Sequence, residues 1–169
     1  ALRSNFQELR FIDLGGGLGI TERRGERGLD LTELDKELQK IQVDDIKFWL
    51  EPGRFIVGEA GVLLAQVTQI KGKGDMRYVG INVGMNTLIR PTLYGAYHEI
   101  VNLSNLEGAP TELVTIVGPI CETGDRLGSD RLLPTTQEGD VILIANAGAY
   151  GYAMSSNYNL REPAVEIAI

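Results

Sequence analysis

Cysteine occurs once in the 169 residues, as Cys121, and histidine once, as His98. A single thiol excludes an intrachain disulfide framework, and without a C-x-x-C pair or a His/Cys cluster no zinc site is expected. Basic charge is scarce: 16 Lys and Arg stand against 23 Asp and Glu, a formal net charge of −7. Non-specific binding to nucleic acid or to an anionic membrane needs a basic face, so neither partner is expected. No apolar run approaches the roughly 18 residues that span a bilayer, and no signal-peptide pattern opens the chain. Internal repeats and low-complexity tracts are absent too. With 23% charged residues, the expectation is a globular cytoplasmic protein of one domain, or of one domain plus part of another.

The first third reads as β-α-β. Ala1–Leu9 reads as a helical segment entered at once, and Phe11–Leu14 as a buried-type strand, so the sequence is expected to start inside a larger fold. That strand runs into Gly15-Gly16-Gly17-Leu18-Gly19. Leu31, Leu34, Leu38 and Ile41 follow the i, i+3, i+7, i+10 spacing of an amphipathic helix over 30–41. Ile46–Leu50 is a second strand, stopped by Glu51-Pro52-Gly53. Strand, helix and strand with glycine-rich exits predict parallel strands joined by a right-handed crossover.

Beyond about residue 60 the helical period is lost. Val62–Ile70, a turn cluster over Lys71–Asp75 and Arg77–Asn82 form a hairpin signature. Leu113–Val117, Asp140–Ala145 and Ala164–Ile169 continue as apolar strands between Gly, Pro, Asp and Asn turns. Short strands without intervening helices predict an antiparallel sandwich or barrel. The division falls into 1–60, an α/β segment, and 61–169, a β domain.

Five places carry residues suited to chemistry. Glycines 15–17 at the end of a parallel strand let backbone N–H groups approach an anion, usually phosphate; a plain tight turn explains them equally well. The Rossmann spacing fails, because position 20 is Ile20. Glu51-Pro52-Gly53-Arg54 also ends a parallel strand, where barrel active sites gather, although a Pro-Gly turn with two solvated charges is the commoner fate. Arg90 and Tyr94, four apart, converge on one anionic group if their segment is helical. His98 reads as structural. Cys121 and Glu122 follow the strand break at Gly118-Pro119 and so fall on a loop. A neighbouring carboxylate disfavours the thiolate and suits a proton donor, while an inert thiol is the commoner reading. Small residues flank Tyr150 in Asn146–Tyr152, permitting close approach to a ligand or forming a tight β corner.

In order and wording these segments resemble diaminopimelate decarboxylases over nearly the whole chain. The matching stretches are Gly15–Gly17, Glu51–Arg54, GMNTLIRPTLYGAYH at 84–98, CETGD at 121–125 and AGAYGYAMSSNYN at 147–159. That family belongs to the alanine-racemase-like enzymes, in which a (β/α)₈ barrel carries pyridoxal 5′-phosphate and a β domain completes the site. The resemblance implies the last barrel strands followed by a mainly antiparallel, Greek-key-like β domain. It implies that Gly15, Gly16 and Gly17 bind the cofactor phosphate, that Glu51 faces the pyridine nitrogen with Gly53 beside it, and that Arg54 lies between phosphate and substrate carboxylate. Arg90 and Tyr94 would hold the distal carboxylate of meso-diaminopimelate, and Tyr150 would reach the phosphate region. Cys121, as proton donor or relay, and Glu122, on the distal ammonium, would enter from the partner subunit of a homodimer. The implied products are L-lysine and CO₂. The family's cofactor-anchoring lysine lies upstream of the glycine run, and Lys36, Lys40, Lys47, Lys71 and Lys73 stand in other contexts. Asn82 stands where most relatives are expected to have aspartate. The rivals are a decarboxylase of the same fold acting on ornithine, arginine or carboxynorspermidine, and a non-catalytic β-domain binding module.

Overall fold

A computed structural model describes every residue except 1–4, 7, 44 and 75, so the helix expected over Ala1–Leu9 lies largely outside the described residues. Strands β1 (Phe11–Asp13) and β2 (Lys47–Trp49) pair in parallel, Ile12 opposite Phe48. The rings of Phe11 and Trp49 stack with centroids 4.2 Å apart. Helix α1 (Leu31–Ile41) connects them. Asp30 caps it, its Oδ1 accepting from the N–H groups of Thr32 and Glu33 at 2.9 and 3.2 Å, which satisfies two otherwise orphaned donors. None of the helix is buried, and Leu31 and Ile41 stay exposed.

The second unit is one six-stranded sheet in the order β5-β8-β3-β4-β6-β7. Its strands are β3 (Leu63–Lys73), β4 (Met76–Ile81), β5 (Ile100–Asn102), β6 (Glu112–Val117), β7 (Arg126–Leu133) and β8 (Val141–Ile144). Leu63, Ala65 and Val67 point inward while Leu64 and Gln66 point out, the period of two that a half-buried strand requires. β3 pairs with β8 over 63–66 and with β4 from Val67 onward, and a bulge at Val67/Gln69 marks the exchange. Such a bulge sharpens the twist and lets one long strand serve two flanks of a curled sheet. The outer strands β5 and β7 meet, and a Cβ on Gly128 would lie 2.7 Å from Ile100 Cδ1. The result is a nearly closed barrel around Val79, Ile81, Val114, Ile116, Leu127, Ile142 and Ile144. Each such side chain stabilises the fold by about 1.5–3 kcal/mol on burial.

The mainly antiparallel, barrel-like domain is as expected, with four of its five strand pairs antiparallel, but one pairing and two element bounds differ. β4 and β6 run parallel, so the sheet is mixed. Parallel neighbours need a long crossover, and residues 82–111 supply it, carrying helix α3 (Arg90–Tyr94) and β5. The hairpin turns at Gly74, with φ +60°, because Lys71, Gly72 and Lys73 remain paired with Tyr78, Arg77 and Met76. Ala164–Ile169 is no strand: it is apolar at all positions but Glu166, yet among the described residues it has no ladder partner, and Val165 and Ile167 are exposed. Two strands, β5 and β7, were absent from the reading of the sequence.

Candidate active site

The parallel ladder of β1 and β2 sets the first group of residues. It continues past the strands: Leu14 donates to Trp49 O at 2.9 Å and Glu51 to Gly15 O at 2.8 Å. The glycine run therefore lies alongside Glu51–Arg54. A Cβ on Gly16 would fall 2.5 Å from the Glu51 carbonyl oxygen, so only glycine fits there. Gly15 N–H is held by Asp13 Oδ1 at 2.8 Å, and Gly15 and Gly17 take positive φ. The N–H groups of Gly16 and Gly17 have no partner among the described residues.

Tyr150 arrives from the other end of the chain. Helix α2 (Gly53–Val57) and the turn at 58–60 pack backbone to backbone against Ala147-Gly148. Ala147 N donates to Gly61 O at 2.8 Å and Gly148 N to Gly58 O at 3.1 Å, and a Cβ on Gly148 would lie 2.0 Å from Val57 O. The segment 146–152 is thus a tight corner, and Tyr150 sits on it with φ +61°, which costs a non-glycine residue roughly 1–2 kcal/mol. Its hydroxyl comes within 3.7 Å of where a Gly53 side chain would begin. Asn146 Nδ2 donates to Thr21 O at 2.9 Å, fastening the corner to the loop after the glycines.

Arg90 joins this group. Its segment is helical: α3 has Pro91 in its first turn and ends at Gly95 in the left-handed region (φ +63°). Arg90 is only 9% exposed, its guanidinium lies 5.6 Å from the Tyr150 ring centre, and its Nε has no partner. Tyr94, one turn later, is 64% exposed, so the pair share a helix but not an environment. His98 is fully buried. Its Nδ1 lies 2.8 Å from Ala145 O, which makes Nδ1 the protonated nitrogen and leaves Nε2 unpartnered. Burial, reinforced by the Arg90 charge, pushes its pKa below the ordinary 6.5 against the opposing pull of the Ala145 carbonyl. Arg54 is not free: its Nη1 pairs with Glu22 Oε1 at 2.6 Å. The planar guanidinium retains other donors for a second anion.

Cys121 and Glu122 form a second group. Both are exposed on the loop after β6. The Tyr158 hydroxyl donates to Glu122 Oε1, and that bond raises the Tyr158 pKa. Among the described residues no hydrogen bond, ion pair or ring contact links Cys121 or Glu122 to Gly15–Gly17, Glu51, Arg54 or Tyr150. The loop is tied instead to α3, through Thr92 Oγ1 donating to Gly124 O at 2.7 Å. Beside α3 opens a cleft of about 940 Å³ lined by Thr92, Tyr97, Gly124 and Arg131 among others. Arg23 and Arg131 stack on the Tyr97 ring at 3.8 and 3.7 Å.

The sequence reading missed Glu22, Tyr158 and Asp125 as site-shaping residues. Glu22 and Tyr158 are 32 and 36 residues from their partners, and no local pattern signals such pairs. Asp125 stood inside a recognised motif without a role. Among the described residues no three His, Cys, Asp or Glu side chains gather to hold a metal.

The family described as "Pyridoxal-dependent decarboxylase, C-terminal sheet domain" matches residues 54–148. A diaminopimelate decarboxylase from Archaeoglobus fulgidus is 44% identical over 168 residues, covering 96% of this chain and 40% of the relative. One from Aquifex aeolicus is 43% identical, covering 96% and 39%. The crystal structure of diaminopimelate decarboxylase from Helicobacter pylori complexed with L-lysine superposes with a TM-score of 0.81 at 38% identity, covering 94% of this chain and 39% of that one. The chain spans about two fifths of the length of the curated relatives it matches.

Proposed function

From the premise that the chain belongs to the pyridoxal-dependent decarboxylases and carries their C-terminal sheet domain, we propose that it serves the decarboxylation of meso-diaminopimelate to L-lysine and CO₂. One observation carries the reading: Gly15–Gly17, Glu51–Arg54, Tyr150 and Arg90, scattered over 136 positions of sequence between Gly15 and Tyr150, gather in one place. Relatives named for this reaction, one of them holding L-lysine, support it.

The donor set fits pyridoxal phosphate. Two unpaired glycine amides sit on a loop whose close packing on Glu51 excludes a side chain, the geometry of an anion cradle. Glu51 is an exposed carboxylate beside it, suited to keep a pyridine nitrogen protonated. When bound, the cofactor supplies an electron-withdrawing ring that delocalises the charge left as CO₂ departs. The chain's residues do the rest. Gly16 and Gly17 would hold the phosphate, while the Gly15 amide expected beside them is already given to Asp13; Tyr150 would reach it across Gly53, and Arg54, braced by Glu22, would serve the phosphate and the substrate carboxylate. Arg90 would pair with the distal carboxylate, while Tyr94, exposed one turn away, would reach that carboxylate only by turning in from outside the pocket. A buried guanidinium left unpaired by a substrate lacking that carboxylate is penalised, which selects diaminopimelate over ornithine or arginine.

Cys121 and Glu122 act from a second copy of the chain. The thiol gives a proton to the carbon that lost CO₂, and the Glu122 carboxylate takes the distal ammonium. Both are exposed and detached from the first group, as residues offered to a partner's site must be.

Loss of a charged hydrogen-bond partner costs about 1.5–3 kcal/mol. Arg90→Ala in the assembled holoenzyme therefore raises KM for meso-diaminopimelate by roughly 10- to 100-fold. An unchanged KM would remove Arg90 from the carboxylate clamp.

A further inference from the structure

Within the 121–125 loop the thiol and the first carboxylate face outward, but Asp125 faces inward and is 3% exposed. Its Oδ1 accepts from Met85 N–H and its Oδ2 from Ile120 N–H, both at 2.6 Å. Those donors belong to different segments. Met85 leads into α3 and Arg90; Ile120 leads into Cys121. Two glycines make room for the carboxylate. A Cβ on Gly84 would fall 2.7 Å from Asp125 Oδ2, and one on Gly118 would fall 2.4 Å from the same oxygen. Only a carboxylate can accept from both amides, because an asparagine would turn one NH₂ toward a backbone N–H.

Burial of a charge needs such compensation. Desolvation pushes the Asp125 pKa above its usual place, opposed by the two amide bonds and by the Arg161 charge. A hydrophobic side chain of similar size would fill this space at less expense if packing were the only requirement. What it could not do is bind two loops in one register.

We propose that Asp125 is a positioning residue: its carboxylate bridges the Met85 and Ile120 amides and so fixes Cys121 and Glu122 relative to the helix that carries Arg90. The bridge is reinforced by Thr92 on Gly124 O and closed within the loop by Asp125 N–H on Glu122 O at 3.1 Å. Its consequence for turnover rests on the reading of Cys121 as proton donor; the positioning itself does not.

Deuterium labelling of the Met85 and Ile120 backbone amides reports on the bridge directly, whereas the exposed Cys121 thiol reacts without any opening of the loop. In the full chain, Asp125→Asn raises the labelling rate at least about fivefold, the effect of losing roughly 1 kcal/mol of hydrogen bonding. Asp140→Asn, which disturbs a carboxylate bonded to Asn102 and Gln137, leaves the rate unchanged. Should Asp125→Asn fail to fold, amide NMR of the unmodified chain decides. The Met85 and Ile120 protons shift together with pH at one midpoint if they share one carboxylate. A folded Asp125→Asn chain labelled at the unmodified rate overturns the proposal, as do two amides titrating apart. In the holoenzyme, Asp125→Asn lowers kcat through the displaced Cys121 and raises KM through the displaced Glu122. Faster labelling with undiminished kcat would refute Cys121 as donor and leave the bridge standing. Lowered kcat with unaltered labelling would refute the bridge.

Discussion

His98 shows how a residue outside the reacting groups still answers to pH. It is enclosed completely, its Nδ1–H given to Ala145 and its other nitrogen unpaired beside the positive field of Arg90. Folding lowers its pKa below the 6.5 of a free imidazole, so the unfolded chain takes the proton first. The stability His98 contributes is whole above pH 6.5 and declines as pH falls from there through the lower folded value. In urea titrations between pH 7.5 and 5.5, the unmodified chain is expected to lose stability on acidification by up to about 1.4 kcal/mol per pH unit more than His98→Gln does. Parallel pH dependences for the two chains would mean that the ring is not held neutral. The sequence reading of a structural histidine agrees with this burial; the bond of its Nδ1–H to Ala145 was beyond it, because 47 residues separate the two.

The elements were legible to the extent that their pattern was local. α1 announced itself by apolar spacing and by Asp30 at its start. The β3–β4 hairpin was readable from its flanks, and Pro91 and Gly95 bracket α3. β7 was not readable, since register shifts around Ile116 break its alternation and put Leu127 and Gly128, adjacent in sequence, both inside. Ala164–Ile169 misled for the opposite reason: an apolar run reports fitness for a strand, whereas a strand exists only where a partner does. The parallel pairing of β4 with β6 is likewise invisible, because side-chain pattern carries no strand direction. Backbone contacts between elements are sharper than either. Gly148→Ala would put a methyl group 2.0 Å from the Val57 carbonyl oxygen, and a loss of at least about 2 kcal/mol is expected in the urea midpoint. Gly72→Ala, whose nearest atom would be 4.0 Å away, serves as the neutral comparison. Equal midpoints would show that the corner bearing Tyr150 is not packed as described.

In the molecule as a whole, the residues that a shared reaction would need occur in two groups. Gly15–Gly17, Glu51, Arg54, Arg90 and Tyr150 form one; Cys121, Glu122 and Tyr158 form the other. Apart from Tyr158, the members of each group stood out in the sequence one by one, because glycines, arginines and a thiol–carboxylate pair carry recognisable chemistry. Their division did not, since it depends on the crossover that holds α3 and on the inward turn of Asp125. The proposed reading accounts for that division by a two-fold dimer in which each copy's Cys121 loop would enter its mate's site. The decisive measurement mixes two crippled holoenzymes, Arg90→Ala and Cys121→Ala, in equal amounts after dissociation. Half of the reassociated dimers are mixed, and one of two sites in each is intact, so recovery of about a quarter of the original activity is expected. A mixture no more active than its components would contradict the account, because Arg90 and Cys121 would then have to act within one and the same chain.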